Sequence, residues 1–141
     1  MSKVAVVFWS GTGNTEAMAN AVGEGAGQAG AEVSVLPVSM VSADEAAGYD
    51  ALALGCPAMG AEVLEESEFE PFFTALEGKL SGKPVVLFGS YGWGDGQWMR
   101  DWEDRAKAAG AVLKAQPLMV NETPDDDALA DCRTLGAAVA S

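Results

Sequence analysis

The chain contains no histidine, few basic residues, only two cysteines and no apolar run approaching membrane-spanning length. Each shortage excludes something. Without histidine there is no usual general base near neutral pH, no imidazole metal ligand and no Ser/His or Cys/His nucleophile system. Eight Lys and Arg stand against 21 Asp and Glu, a net charge of −13. That balance disfavours nucleic acid and anionic membrane surfaces, which both call for a basic face. It favours encounters with basic protein surfaces, at rates that fall as salt rises. Cys56 and Cys132 form no Cys-x-x-Cys pair, so neither zinc nor a thioredoxin-type centre is indicated. A strand follows directly on Met1-Ser2-Lys3, with no cleavable apolar segment, and a soluble cytoplasmic protein is expected.

What is present argues for a folded core. At 141 residues and 49% apolar content, residues 1–141 read as one domain that buries about two-thirds of its unfolded surface. Five apolar runs, Val4–Trp9, Val33–Val38, Ala51–Leu54, Val85–Phe88 and Ala111–Val120, carry little charge, as strands buried on both faces should. Helical spacing lies between them. The first helix starts near Glu16, turns Met18, Ala21, Val22 and Ala29 inward and stops at Gly30, though Gly23, Gly25 and Gly27 weaken it. A weaker segment spans Ser42–Ala47. Ser67-x-x-Glu70 reads as a capping box ahead of Phe69, Phe72, Phe73 and Leu76. Trp98, Met99, Trp102, Ala106 and Ala109 mark the next helix, with Asp95 as its N-cap. Thr123-Pro124 opens the last, which turns Leu129, Cys132, Leu135 and Val139 inward, and Asp125, Asp126 and Asp127 complement its dipole. Strands alternating with helices imply a parallel sheet covered on both sides, with ligands beyond the carboxyl ends of the strands.

Three loops at those ends are chemically unusual. The first, Ser10-Gly11-Thr12-Gly13-Asn14-Thr15, crowds hydroxyls and glycines between strand and helix without any Lys or Arg. Neutral donors of this kind can hold a phosphate at a helix N-terminus. No Gly-Lys-Ser/Thr makes it a nucleotide P-loop, and Glu16 stands where the dinucleotide fingerprint needs a third glycine. The second loop, residues 55–62, sets Met59 near its tip, where a soft thioether suits an aromatic ring, although Met59 folded back as a gap-filler competes with that reading. Cys56 reads as a small buried side chain, and the acids from Glu62 to Glu70 mostly as a solvated face and helix cap. The third, Ser90-Tyr91-Gly92-Trp93-Gly94-Asp95-Gly96, brackets an indole with glycines so that a flat ligand can approach it. A phosphate cradle with two slabs, Met59 and Trp93, suits a flavin mononucleotide, whose ring would carry the chemistry.

In these segments the sequence resembles the short-chain bacterial flavodoxins from about Lys3 through Ser141. The resemblance rests on Phe-Trp-Ser-Gly-Thr-Gly-Asn-Thr-Glu at 8–16, Gly-Cys-Pro-Ala-Met-Gly at 55–60, Leu-Glu-Glu-Ser-Glu-Phe-Glu-Pro-Phe at 64–72 and Leu-Phe-Gly-Ser-Tyr-Gly-Trp-Gly-Asp-Gly at 87–96. It implies a doubly wound five-stranded parallel sheet of order 2-1-3-4-5, non-covalently bound FMN and no catalysis of its own. It also implies that Ser10, Gly11, Thr12, Gly13, Asn14 and Thr15 cradle the phosphate, with Ser90 and Tyr91 nearby. Pro57 and Ala58 would line the ribityl and ring side, and Met59 and Trp93 would flank the isoalloxazine. The Gly60 carbonyl would turn to flavin N5 when that atom is protonated, and Glu62 would bond N3–H. Gly92 and Gly94 would approach N1 and O2, and Asn121 a sugar hydroxyl. Ala61 departs from the polar or acidic residue common at this turn, and Phe8 from a common Tyr.

The expectation is therefore a low-potential one-electron carrier moving between neutral semiquinone and hydroquinone. Charge added near N1 is disfavoured among so many acids, and each tenfold change in a one-electron equilibrium moves its potential by about 59 mV. Partners would be basic-surfaced redox proteins docking briefly on an acidic rim, with the carrier a monomer. The rivals are an FMN-dependent NAD(P)H:quinone reductase and a phosphate-binding regulatory module without flavin. A receiver domain fails because the first strand ends in Trp9-Ser10 without an acidic pair, and a low-molecular-weight phosphatase fails because no cysteine begins the phosphate loop.

Overall fold

The computed structural model describes residues 2–140; Met1 and Ser141, the ends of the expected domain, lie outside the described residues. Three strands run through the middle: β1 (Lys3–Phe8), β3 (Ala51–Gly55) and β4 (Pro84–Tyr91). β2 (Glu32–Pro37) flanks β1, and β5 (Val112–Leu113) flanks β4, so the sheet order is β2-β1-β3-β4-β5 with every pairing parallel. This is the order the resemblance implies. The expected fifth strand, Ala111–Val120, is instead two pieces. Residues 114–117 break it, ending at Pro117, which has no N–H for a ladder. β6 (Leu118–Asn121) then rejoins the far end of β4.

Side-chain alternation divides the interior in two. Ala5, Val7, Leu52, Leu54, Val85 and Leu87 point to one face, and Val4, Val6, Ala51, Ala53, Val86 and Phe88 to the other. The first face is covered by α2 (Ala43–Ala47), α3 (Phe69–Glu77) and α4 (Gln97–Ala108). There Phe69 and Phe73 both meet Trp102 edge-on, at centroid distances of 5.4 and 5.9 Å. The second is covered by α1 (Asn14–Gln28) and α5 (Asp126–Ala140). Met18, Ala21, Val22, Cys132, Leu135 and Val139 are buried there, while Ala29 is exposed and Leu129 half-buried, short of the expected burial.

The helical glycines have a packing reason. A Cβ on Gly25 would sit 1.9 Å from the Arg133 carbonyl oxygen, and one on Gly136 would sit 1.9 Å from that of Val22. α1 and α5 therefore meet backbone to backbone. Gly27 faces open space and serves no such contact.

Helix starts depart from local expectation. The Ser67/Glu70 capping box does not form. Glu65 starts α3 instead: its carboxylate accepts the N–H groups of Ser67, Glu68 and Phe69 at 2.8, 2.8 and 2.9 Å, and the Ser67 hydroxyl as well. Glu70 turns away to Arg105, which grips both its oxygens at 2.7 and 2.8 Å and also reaches Glu77. That hydrogen bonding holds Glu70 below the usual carboxylate range. A capping box does form at Ser42/Glu45. The last helix is capped by Asp125, which accepts the Ala128 N–H at 2.8 Å, and not by Thr123. Asp95 pairs with Arg100 and does not cap α4.

Two predictions follow from these contacts. Gly136→Ala should destabilise by about 1–3 kcal/mol through overpacking, whereas Gly27→Ala should be neutral or add up to ~1 kcal/mol by helix propensity; urea midpoints measure both. The second concerns Glu65. Burial raises its pKa, but the Ser67 hydroxyl and three N–H groups outweigh burial and the net shift is downward. A depressed carboxylate stabilises above its ordinary value and loses that contribution as pH falls through the folded one. Glu65→Gln should therefore be less stable than wild type at neutral pH, and the difference should shrink on acidification. A pH-independent difference in urea midpoint would refute this.

Candidate functional site

Register brings the loops together. Phe8 pairs with Gly55 and Gly55 with Phe88, so residues 9–15, residues 56–62, the last residues of β4 and residues 92–96 that follow it meet at the carboxyl end of the strands. Between these loops lies a cavity of about 530 Å³, within the usual range for small-molecule sites.

One end of the cavity is the hydroxyl-rich loop. Gly13, at φ 95°, is the left-handed N-cap of α1, a conformation suited to glycine. Ser10 Oγ accepts the Gly13 N–H at 3.1 Å, and Thr12 Oγ1 accepts that of Asn14 at 3.4 Å. Behind them Thr15 Oγ1 and Ser90 Oγ are buried 3.1 Å apart and tie the loop to β4. Gly11, Thr12, Asn14 and Ser90 line the cavity; Ser10, Gly13 and Thr15 support it. Trp9 also lines it, with its indole N–H on Glu68 Oε1 at 3.3 Å.

The 56–62 loop is held from beneath. Cys56 O accepts the buried Trp98 indole N–H at 3.1 Å, and a Cβ on Gly89 would lie 2.2 Å from that oxygen. The Cys56 thiol is fully buried, and burial pushes its pKa up to about 12, which fits an inert core group. Pro57, Ala58 and Met59 line the cavity. Met59 and Val63 exchange N–H···O=C bonds of 2.9 Å and close a tight turn over Gly60, Ala61 and Glu62. Gly60 has φ 52° and Glu62 φ 55°, and left-handed backbone at a non-glycine residue stores strain of about 1–3 kcal/mol.

The third loop supplies Tyr91, Gly92 and Trp93 to the lining. Trp93 is 55% exposed, the wrong exposure for a core residue of its size. Its indole N–H donates to the Gly60 carbonyl at 3.2 Å. Glu62 turns its carboxylate to the start of α4, accepting the N–H groups of Asp95, Gln97 and Trp98 at 3.3, 2.7 and 3.4 Å. Thus Gly60, Ala61, Glu62 and Gly94 sit around the cavity, not in its lining. Asn121 is also at the rim, with its amide on the Tyr91 carbonyl at 3.4 Å.

Sequence reasoning did not place Trp9, Glu122 or Thr123 at the site, yet all three line it. Glu122 adopts φ 58° and donates its N–H to Tyr91 O at 2.7 Å. Its position just past the carboxyl end of a strand was the available signal.

Among the described residues that line the cavity there is no Lys or Arg. Any phosphate would have to be held by N–H groups, hydroxyls and the N-terminus of α1. A thioether and an exposed indole in the same cavity suit a planar ring. The residues present therefore fit a phosphorylated planar cofactor. No group of His, Cys, Asp and Glu among the described residues could hold a metal ion, and no described helix is long and apolar enough to cross a membrane.

Comparison with known proteins gives the same result. The flavodoxin family model matches residues 6–136. The flavodoxin of Clostridium beijerinckii is 52% identical over 96% of this chain and 98% of its own length. The flavodoxin of Megasphaera elsdenii is 50% identical over 97% of this chain and 98% of its own. The solution structure of the two-electron reduced Megasphaera elsdenii protein matches with a TM-score of 0.89 over 97% of this chain and 98% of that one. Fold, site and near-full-length identity agree: the chain belongs to the flavodoxin family, whose members bind FMN and carry electrons without catalysing a reaction of their own.

Proposed function

We propose that residues 1–141 form one FMN-binding domain that works as a low-potential, one-electron carrier between the neutral semiquinone and hydroquinone of the flavin. The observation that carries this reading is the cavity itself: a cradle with no cation, Met59 and Trp93 in one lining, and glutamates at its edge. When bound, FMN supplies the redox chemistry, and the protein sets its position and potential.

Each part has a role. Ser10, Gly11, Thr12, Gly13, Asn14 and Thr15 hold the phosphate through N–H and O–H donors, with Ser90 behind them. Pro57, Ala58 and Tyr91 shape the space along the sugar chain, and Asn121 offers its amide at the rim. Met59 and Trp93 grip the ring. With FMN bound, the Gly60 carbonyl would exchange the Trp93 indole for the N5–H of the flavin, Glu62 would accept a bond from N3–H, and Gly92 and Gly94 would approach N1 and O2 through their backbones. With Glu62 and Glu122 at the site and a net charge of −13, further negative charge on the ring is disfavoured. A basic redox protein would dock transiently against this acidic rim, with the carrier a cytoplasmic monomer.

Anaerobic dithionite titration of the FMN-loaded protein should pass through a blue neutral semiquinone and reach the hydroquinone only at low potential. Direct two-electron reduction, with steady NAD(P)H oxidation, would favour a reductase. Refusal of FMN would leave only a phosphate-binding fold. Gly60→Thr puts a β-branched residue at φ 52°, and its strain should hinder the turn and lower the semiquinone formation constant about tenfold; an unchanged yield sinks that role. Finally, electron transfer to a basic redox protein should slow as ionic strength rises past the range where the Debye length is about 10 Å. A salt-independent rate would contradict docking on acids.

A further inference from the structure

β6 stands at an edge of the sheet: it pairs with the carboxyl half of β4, and among the described residues no other strand pairs with it. The Glu122 N–H donates to the Tyr91 carbonyl, which sets the phase of this ladder. Both main-chain groups of a strand residue point to the same side, and successive residues alternate. Val120 therefore faces β4, while the N–H and C=O groups of Met119 and Asn121 face outward. Proteins blunt such an edge with a lysine, a proline or a bulge in the strand. The Leu-Met-Val-Asn of β6 has neither lysine nor proline, and its register with β4 runs on without a bulge.

The surroundings of this edge select what can pair with it. A groove of about 320 Å³ runs between β6 and the start of α5, and Asp125, Asp127 and Asp131 line it without any Lys or Arg. None of the three is held in an ion pair among the described residues. Leu118 and Val120 turn to this side, with the core beneath α5. Met119 turns to the opposite face, where a Cβ on Gly96 would lie 2.8 Å from its sulfur, and 41% of its surface is exposed. A strand added along β6 would set alternate side chains over these two faces. Basic ones would meet the aspartates, and apolar ones would lie beside Met119. A second copy of this chain is a poor occupant, because pairing β6 with β6 would bring the same aspartates together between two chains of charge −13.

We propose that β6 is a docking edge that takes an extended, basic segment of a redox partner by strand addition, with Met119 and Asn121 exchanging main-chain hydrogen bonds with it. This rests on the reading of a basic redox partner given above, and adds to it a place and a geometry. Thr123, just past the strand, lines both this groove and the larger cavity, so a segment held on β6 stands beside the cavity mouth. Charge alone draws a basic surface near in any orientation. The edge fixes one orientation, and with only two outward-facing residues the contact stays short enough to release.

The test uses the full FMN-loaded chain and two end-capped peptides of equal composition, Lys-Val-Lys-Val-Lys-Val and Lys-Lys-Lys-Val-Val-Val. Amide hydrogen exchange and peptide dissociation constants are measured at low salt. The alternating peptide should protect the Met119 and Asn121 amides about tenfold, leave Val120, Val86 and Leu87 unchanged, and bind more tightly than the block peptide. Met119→Pro removes an outward N–H at an edge position, where proline is tolerated, and should abolish the protection of Asn121; Met119→Ala should keep it. Asp127→Asn combined with Asp131→Asn should weaken the alternating peptide about threefold. Equal binding of the two peptides, or protection of Asn121 that survives Met119→Pro, would overturn strand addition and leave charge attraction alone. Protection at the cavity loops in place of β6 would overturn the assigned edge. Protection of Met119 and Asn121 that grows with protein concentration, without peptide, would make the occupant a second copy and overturn the proposal. If Met119→Pro loses protection at Val86 and Leu87 as well, it has unfolded, and the peptide pair with the aspartate variant decides. Failure of the docking reading looks different: electron transfer to a basic redox protein would not respond to salt, while the alternating peptide would still pair with β6.

Discussion

The structure depends on the pairing of β1, β3 and β4. These strands are buried on both faces, so their backbone N–H and C=O groups have no water and must satisfy one another. Parallel ladders achieve this only in fixed register, and the register sets the last residues of β1 and β3, Phe8 and Gly55, level with Phe88 of β4, which runs on to Tyr91 beside β6. The loops after β1 and β3 thus leave the sheet beside the last residues of β4, and the loop after β4 starts further on. Chemistry distributed over three distant stretches of sequence therefore becomes one site, without any loop having to reach across the molecule.

What was legible in the sequence follows from the range of the forces involved. The first four strands and the inward faces of α3 and α4 were readable because periodic burial is a local signal, whereas the break in the fifth strand and the half-exposed Leu129 of α5 were not. The three loops were readable because glycine, hydroxyl and indole at a strand end have few structural uses. The helix caps were not. Ser67-x-x-Glu70 has the local form of a capping box, but Glu65 already occupies those N–H groups and Arg105 draws Glu70 aside. Asp95 looked like a cap and was taken by Arg100, while the actual cap came from Glu62. Carboxylates reach their partners through space, and sequence spacing does not record competition between them. The same holds for Gly25, which reads as a weakness of α1 in sequence because the helix that needs its missing side chain lies at the other end of the chain.

The electrostatics divide along similar lines. In the proposed function a dianionic phosphate held without a lysine would lean on oriented N–H dipoles whose positions the fold sets in advance. Such a cradle would stay neutral and leave the net negative field of the protein uncancelled near a bound ring. A lysine in the cradle would bind phosphate too, but it would place positive charge beside the ring whose potential the acids are proposed to lower.

Both cysteines are sealed in the core, Cys56 beneath the 56–62 loop and Cys132 between α5 and the sheet. Burial also pushes their pKa values up, to about 12 and about 11, so the thiolate needed for alkylation or exchange is scarce at neutral pH. The protein thus comes with a chemically silent background. A single cysteine introduced at an exposed point such as Met40 would be the one thiol a maleimide finds, so a spin label or fluorophore could be attached there with both native cysteines left in place.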